Sequence, residues 1–499
     1  MPTAPDPLAP DPVRGQSARA RQDPPSWTDH TAARAAEAMG GPWGRRAVAL
    51  PGSFWTPLRV VLALAAFTLL LGFAQKFPCA DGQWNGNKQY THACYSDILP
   101  LWFTEGLNDG KVPYRDHPVE YPVLTGGYMW GAAELTRAWV LLDPSANQVQ
   151  AYWTISSAGL ALLAMLMVSA VVRTSGYRPY DGAIAAFSPL LVFHAFSHWD
   201  LLAMMFAATA MWAWAKRNPA LAGVLIGLGT AAKLYPALLL IPLAVLGIRT
   251  RRFGGPLLAG LSAAAAWLAV NLPVAIPWPD NWLVFFRLNQ QREAERSTIW
   301  NIVAYIRANG LHPGPVQDVA PNTAVAITVL AGMAVVIGIG LGAPTKPRLA
   351  QLAFLTVVAF LLTTKVWSPQ YSLWLVPLLA LARPRWRSAI IWQCAEIAVW
   401  YLTLLNLIPA KDYGIDYPPL LGVLLIRDAI LLVICGMIVR EMWRPELDVV
   451  RTDGSGAVLR DDPGGGIFDA APDHPPLPRA HRPAAPAQPT ESTRPPAPA

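Results

Sequence analysis

The chain has 499 residues, of which 53% are hydrophobic, 14% are charged and 21 are Trp. Soluble domains carry about a quarter charged residues, so this composition excludes an ordinary soluble protein and indicates that lipid is the main solvent. The net charge of +7 is modest and lies mainly in short loops between apolar runs. The basic residues in these loops therefore indicate how the chain is oriented in the membrane, and they do not indicate a nucleic-acid-binding surface.

The two ends of the chain differ from its middle. Residues 1–56 are rich in Pro, Ala and Arg without apolar periodicity, and residues 441–499 resemble them. Neither segment can bury enough apolar surface to offset its ordering entropy, so we predict two disordered cytoplasmic tails. No cleavable signal pattern precedes the first apolar run near Pro57. We assign residues 57–440 to one membrane domain.

Apolar runs long enough to cross the hydrocarbon core as helices recur along this domain. We place thirteen of them at 57–75, 119–141, 150–172, 181–197, 199–215, 219–232, 233–248, 254–276, 321–343, 349–364, 370–382, 388–409 and 419–439. This pattern predicts an all-α polytopic membrane protein.

The basic loops orient the second half of the chain. The positive-inside rule places Arg251, Lys346 and Arg385 in the cytoplasm, so the loop over 277–320 faces outward. In the first half the same counting brings Arg173 to the outer face, against the rule. Thirteen crossings also cannot put both termini in the cytoplasm. We therefore expect about 12 transmembrane helices, with one run re-entrant, merged or misplaced, and a site formed by the outer loops.

The first outer loop, residues 76–118, contains two cysteines. A disulfide between Cys79 and Cys94 would stabilise the folded state by about 3 kcal/mol in the chain-entropy model. It would also place the loop in an oxidising compartment. The alternative is a pair of unpaired thiols. Cys394 and Cys435 lie in apolar runs, where they act as small core residues.

The same loop carries Asp97, beside Tyr95 and close to the membrane face. A carboxylate in this position can act as general base, taking the proton of an acceptor hydroxyl as a glycosidic bond forms. The alternative is a solvated loop carboxylate, since Asp81, Asp109 and Asp116 lie in the same loop.

Tyr114 and the Glu120-Tyr121-Pro122 motif lead into the next apolar run. Pro suits the first turn of a helix and Glu suits its positive end, so capping explains part of the motif. The tyrosines could be interfacial aromatics or could stack on a sugar. We keep Tyr114, Glu120 and Tyr121 as candidate acceptor-binding or sugar-binding residues.

Several ionisable residues lie within or beside apolar runs, where an unpaired charge costs several kcal/mol. We assign Asp200 and Lys233 to sugar or acceptor binding. Arg427 has a structural explanation, in which Asp428 or Glu396 neutralises it. His194 and His198 have i, i+4 spacing, which permits a metal site but is more typical of core histidines. We assign no metal and no cofactor, although the sequence leaves a divalent ion possible.

The outer loop over 277–320 contains Ile299, Ile302, Val303 and Ile306, whose spacing predicts an amphipathic helix lying in the membrane interface. Basic residues come just before it. A cationic group on this face can hold a pyrophosphate or phosphodiester. Our candidates for donor-phosphate binding are Arg292, Arg296, Lys365, Gln370 and Tyr371.

The chain has no P-loop, nucleotide-binding Gly fingerprint or nucleophile elbow, so an activated lipid is a better donor than a nucleotide sugar. In its ordered set of short motifs the chain resembles the C-type superfamily of membrane glycosyltransferases, and most closely family 87, which includes polyprenol-phosphate-mannose-dependent α-mannosyltransferases. The motifs are Asp97, Glu105-Gly106, Gly110 to Pro113-Tyr114, Glu120-Tyr121-Pro122, Trp199-Asp200-Leu201-Leu202, Ala232-Lys233-Leu234-Tyr235-Pro236 and Ser368-Pro369-Gln370-Tyr371.

The resemblance implies a C-type glycosyltransferase fold in which Asp97 is the general base. It also implies inverting transfer of a hexose, with mannose the expected sugar, from a polyprenyl phosphate to an extracytoplasmic glycan or glycolipid of the cell envelope. Two hypotheses stay open beside it. One is a secondary transporter or flippase, since buried charges suit that role too. The other is a cell-wall assembly scaffold with a decayed site.

Overall fold

The protein is described by a computed structural model that covers residues 54–80, 84, 86–310, 320–452, 458 and 460–476. Almost all of the predicted N-terminal tail lies outside these residues, as do Asp81 and residues 477–499. The described residues form helices and contain no β-strand, which agrees with the predicted all-α class.

The first half, up to the short connection before Gly254, contains eleven of the described α-helices. They are α1 (Pro57–Gln75), α2 (Phe77–Ala80), α3 (Lys88–Thr91), α4 (Ile98–Thr104), α5 (Val123–Leu142), α6 (Gln148–Thr174), α7 (Ala183–Ala186), α8 (Pro189–His194), α9 (Asp200–Ala215), α10 (Pro219–Ala232) and α11 (Leu240–Thr250).

The second half adds eight helices to the described part of the chain. They are α12 (Gly254–Ala275), α13 (Pro279–Gln291), α14 (Ile299–Asn309), α15 (Asn322–Gly342), α16 (Leu349–Thr363), α17 (Leu375–Ala382), α18 (Trp386–Leu405) and α19 (Tyr417–Trp443). Two of them, α13 and α14, lie in the loop over 277–320. In α14, Ile302 is buried against Leu420 and Leu424, whereas Ile306 is exposed, so the predicted helix is amphipathic.

Six helical segments among the described residues are long and apolar enough to cross a membrane. They are Pro57–Ala80, Gln148–Thr174, Gly254–Ala275, Asn322–Gly342, Trp386–Leu405 and Tyr417–Trp443. Other apolar helices, such as α9 and α10, have 16 and 14 residues. The predicted count of about 12 spans is therefore not confirmed, although the apolar helices do indicate a membrane-embedded protein.

Proline explains why several predicted runs are broken. The residue before a proline avoids the helical region, and Ser188 and Ser368 are both extended, with ψ of 121° and 141°. The run predicted at 181–197 therefore splits ahead of Pro189, and the run predicted at 370–382 begins with a 3-10 turn over Pro369–Trp374. These breaks leave non-helical backbone beside the short helices.

The ends of the short helices lie at two opposite faces of the molecule, and each face carries its own set of charged residues. Helix α9 begins at Asp200, and α10 ends one residue before Lys233. We call the end that carries these two residues the site face. The opposite ends carry Arg249 in the last turn of α11 and Arg348 just before α16, and we call that end the basic face.

Helices α10 and α12 approach each other closely because α10 presents two glycines to its neighbour. A Cβ atom at Gly223 or Gly227 would clash with the carbonyl oxygens of Ala259 and Ala263 on α12. Small residues four apart are a common means of close helix contact in membranes, where van der Waals packing replaces the hydrophobic effect.

The C-terminal segment differs from the predicted tail in its described part. Residues 444–452 and 460–476 run along the basic face, and we call them the strap. Asp448 lies 2.6 Å from Arg348, and Asp473 lies 2.5 Å from Arg249. Phe468 is buried beside Trp214, whose indole donates to the Gly465 carbonyl. Ion pairs hold this segment, which its low hydrophobicity alone would leave disordered.

Candidate active site

Asp97 lies at the start of α4, where the first loop meets the turn between α8 and α9. Its backbone N–H donates to the Ser197 carbonyl at 2.9 Å. The Tyr95 hydroxyl donates to one carboxylate oxygen, and Nδ1 of His198 lies 3.0 Å from the other. The side chain keeps 23% of its surface exposed, so a substrate can reach it.

The charges around Asp97 keep its carboxylate ionised. Burial alone would raise its pKa, but His198, the Tyr95 hydrogen bond and the Lys233 charge outweigh burial and lower the pKa below its ordinary value. An ionised carboxylate that is partly exposed can accept a proton.

A buried lysine supports the Asp97 loop from below. The Lys76 ammonium donates to the carbonyls of Tyr95 and Phe193 and to the Ser197 hydroxyl, at 3.0 to 3.1 Å. The Cys79–Cys94 disulfide is confirmed and closes the loop just before Tyr95. Together these contacts fix the loop to the turn that carries His198.

Asp200 and Lys233 form a second charged pair on the site face. The Lys233 ammonium lies 2.8 Å from Oδ1 of Asp200, and the Trp374 indole donates to the same oxygen at 2.6 Å. The ammonium also lies 4.4 Å from the centre of the Tyr371 ring and 6.0 Å from that of Tyr121. Oδ2 of Asp200 is buried and has no hydrogen-bond partner among the described residues.

Three charged residues adjoin these two pairs. The charge of Arg292 acts on both Glu120 and Glu295, and the charges of Lys233 and His198 also act on Glu295. Burial raises the pKa of Glu120 and of Glu295. Both oxygens of Glu295 accept from the Ser368 hydroxyl, at 2.8 and 3.0 Å.

A buried arginine supports this side of the site. Arg427 Nε lies 2.7 Å from Asp428, Nη1 lies 3.6 Å from Glu396, and Nη2 donates to the Ser297 carbonyl at 2.8 Å. Its guanidinium lies over the Trp367 ring at 3.6 Å. The structural interpretation of Arg427 is therefore confirmed.

The remaining candidates are held in structural contacts. The Lys365 ammonium donates to the Gln290 carbonyl and to Asn322, at 2.9 and 2.7 Å. Arg296 donates to the backbone and side chain of Asn406. Both contacts tie neighbouring segments together and leave these cations less available to a phosphate than Arg292.

Tyr114 also lies outside the charged cluster, although it holds the backbone of Tyr121, which belongs to the cluster. Its hydroxyl donates to the Tyr121 carbonyl at 2.8 Å, and its own carbonyl accepts from Asn281 at 2.7 Å. Gln370 is buried beside Tyr371 on one 3-10 turn. The structure thus brings together Asp97, Glu120, Tyr121, Asp200, Lys233, Arg292 and Tyr371.

Sequence reasoning assigned no site role to three residues of this site. It considered His198 as a metal ligand or a core histidine, treated Lys76 only as the first residue of the outer loop, and did not single out Glu295. A basic residue directly after the first apolar helix was the available signal for Lys76. No cluster of three or more metal-ligating side chains is present among the described residues, and the His194 ring packs on Trp400 at 4.8 Å.

Residues 140–369 match the model of glycosyltransferase family 87. This is the family that the short motifs resemble, and the match indicates a membrane glycosyltransferase. It covers Asp200, Lys233 and Arg292, whereas Asp97 and Glu120 precede it. A search of curated proteins finds no match to the chain.

Proposed function

From the match to glycosyltransferase family 87, we propose that the protein transfers a hexose, with mannose as the expected sugar, from a polyprenyl phosphate to a glycan or glycolipid acceptor outside the cytoplasm. The observation that carries the proposal is the Asp97 carboxylate, which is partly exposed, held by Tyr95 and His198, and close to the charge of Lys233. A transporter would not account for the family match.

In this proposal the acceptor hydroxyl attacks the anomeric carbon from the side opposite the phosphate. Asp97 takes the hydroxyl proton as the new C–O bond forms, and the bond from the anomeric carbon to the phosphate oxygen breaks through an oxocarbenium-like state. The configuration inverts. Phosphate leaves readily, so a second carboxylate acting as acid is not required.

Arg292 and Lys233 are the cations best placed to stabilise the leaving phosphate as its charge develops. Glu120 and Tyr121 would contact the acceptor. The free Oδ2 of Asp200 could accept a hydrogen bond from a sugar hydroxyl, because a buried carboxylate oxygen without a partner is costly. Both termini would then be cytoplasmic and the site extracytoplasmic.

The test is transfer of radiolabel from polyprenyl-phosphate-mannose into membrane lipid or glycan. We expect Asp97→Asn to lower transfer by about 10² to 10⁴-fold, the usual contribution of a general base. Asp109→Asn is the matched control, because Asp109 is an exposed carboxylate of the same loop. Equal activity in the two variants, at equal membrane level, would remove Asp97 as the base. Failure of the wild type with mannose would call for other polyprenyl sugars.

A further inference from the structure

A groove of about 710 Å³ lies between α18 and α19, on the half of these helices that ends at the basic face. Ile391 of α18 and Ala429, Val433 and Met437 of α19 line its wall, and all four are exposed. Arg385 and Arg387 lie at its mouth. The groove is far along the helices from Asp97 and takes no part in the proposed transfer.

The length of the apolar wall fits one leaflet of a bilayer. Met437 is eight positions after Ala429, which corresponds to about 12 Å along an α-helix. Half of a hydrocarbon core is about 15 Å thick. Both helices are among the segments long enough to cross a membrane, so the groove lies alongside acyl chains.

The mouth of the groove carries positive charge that the described protein does not neutralise. Arg387, Arg440 and Arg444 are exposed and make no side-chain hydrogen bond or ion pair with another described residue. Arg440 follows Met437 by three residues and therefore lies next to it on the same face of α19. Arg444 is the first residue after the end of that helix. By contrast, Arg383 and Arg385 share the buried Glu441, at 3.0 and 3.4 Å.

Two tryptophans lie at the same level. Trp386, at the start of α18, and Trp443, at the end of α19, are 41% and 39% exposed. Exposed Trp at helix ends marks the boundary between hydrocarbon and headgroups, and an excess of basic residues marks the cytoplasmic side. The mouth of the groove therefore sits at headgroup depth.

We propose that this groove binds one anionic diacyl phospholipid of the cytoplasmic leaflet. Its acyl chain lies along Val433 and Met437, and its phosphate contacts Arg387, Arg440 and Arg444. Basic pockets between transmembrane helices on this side are suited to anionic headgroups. A zwitterionic lipid would offer the same chains without the net charge.

The test uses native mass spectrometry of the purified full-length protein in non-ionic detergent, titrated with palmitoyl-oleoyl phosphatidylglycerol or phosphatidylcholine. We expect at least one phosphatidylglycerol to bind about tenfold more tightly than phosphatidylcholine, as several basic residues near a headgroup would give. The variant R387Q/R440Q/R444Q should lose this preference. The control K216Q/R217Q/R251Q removes three exposed charges elsewhere on the basic face and should keep it.

A second variant tests the groove without changing charge. Ala429→Phe fills the wall and should weaken phosphatidylglycerol binding, while membrane level and elution in size-exclusion chromatography stay normal. Equal losses in the two triple variants would show diffuse attraction to a basic surface and overturn the proposal. Undiminished binding in Ala429→Phe, or equal affinity for the two lipids, would overturn it as well.

Discussion

At the scale of single residues, Asp97 and His198 form a carboxylate–imidazole pair in which either group can act as the general base. Asp97 can take the acceptor proton itself, with His198 holding it in place. Alternatively Asp97 can orient the imidazole, which then takes the proton. The lowered pKa of Asp97 favours an ionised carboxylate but reduces its strength as a base.

Substitution of His198 separates these roles. If Asp97 is the base, His198→Gln keeps a hydrogen-bonding group at that position and should lower transfer only about tenfold, far less than Asp97→Asn. The measurement is initial rate from polyprenyl-phosphate-mannose with both variants at matched membrane level. A loss in His198→Gln as large as in Asp97→Asn would instead assign the proton transfer to the imidazole.

The raised pKa of the Glu105 carboxyl predicts that the stability of the protein depends on pH. Its carboxyl accepts from the Glu120 backbone N–H at 3.3 Å, and burial raises its pKa from 4.5 to about 7. Between these values the folded state holds a proton that the unfolded state has released. The stability from this group is therefore complete below pH 4.5 and is lost as pH rises through about 7.

We expect Glu105→Gln, which resembles the protonated side chain, to flatten this part of the stability profile. The measurement is the midpoint of thermal unfolding from about pH 5 to pH 8, compared with the wild type. Glu134→Gln is the control, because Glu134 is an exposed glutamate paired with Arg137. Parallel profiles for wild type and Glu105→Gln would contradict the prediction.

Most of the clustered residues could be predicted from the sequence, because Asp97, Asp200 and Lys233 are each part of a short motif that can be recognised by itself. The sequence did not reveal that Arg296 and Lys365 hold backbone carbonyls, whereas Arg292 faces Glu120 and Glu295. A cation's partner depends on how distant helices pack. That information is not contained in the spacing of neighbouring residues.

At the scale of elements, two helices that carry site residues at or beside their ends are shorter than the hydrocarbon core is thick. The 16 residues of α9 and the 14 of α10 span about 24 and 21 Å, whereas a hydrocarbon core is about 30 Å thick. A helix of this length ends within the hydrocarbon core when its other end lies at the membrane surface. Non-helical backbone at that depth is tolerated where it lines a polar cavity.

This geometry explains why the predicted count of about 12 spans is not confirmed. Hydropathy detects that 233–248 and 370–382 are apolar, but it cannot distinguish a crossing from a 3-10 turn followed by a short helix. The prolines at 189, 236 and 369 were visible. Their effect on the neighbouring backbone, and not the apolar pattern, decides where each helix begins.

The hydrogen bonds of Lys76 hold the first outer loop against the turn between α8 and α9, so we predict that stability depends on this residue. Lys76→Met removes the donor to two carbonyls and one hydroxyl that are buried, and each lost partner costs about 1–3 kcal/mol. We expect a clear loss of thermal stability and of transfer activity, measured on protein that still reaches the membrane. Lys88→Met, on an exposed lysine of the same loop, should change neither. Normal activity in Lys76→Met would show that the loop holds its position without this contact.

At the scale of the whole molecule, the strap joins parts of the basic face that are far apart in sequence. Arg348 and Asp448 are both almost fully buried, and Arg348 also donates to the Leu381 and Ala382 carbonyls at 2.8 and 2.6 Å. Removing one member of such a pair leaves an uncompensated charge and costs about 3–5 kcal/mol.

We therefore expect Asp448→Asn to reduce the amount of folded protein in the membrane and to lower its thermal stability by several degrees. The double variant Arg348→Met with Asp448→Leu removes both charges and should recover much of the loss. Asp469→Asn, in the same segment but without an ion pair among the described residues, is the control. A double variant no better than Asp448→Asn would contradict the electrostatic explanation.

The strap also bears on the order in which the protein is made. Arg249, Lys346 and Arg348 leave the ribosome about a hundred residues or more before the aspartates that neutralise them. Until those aspartates emerge, three bases sit at the ends of inserted helices without their counter-charges. Completion of the basic face therefore waits for nearly the last residue that the structure describes. A chain interrupted after Trp443 would have every predicted span and still lack the acids that lock them together.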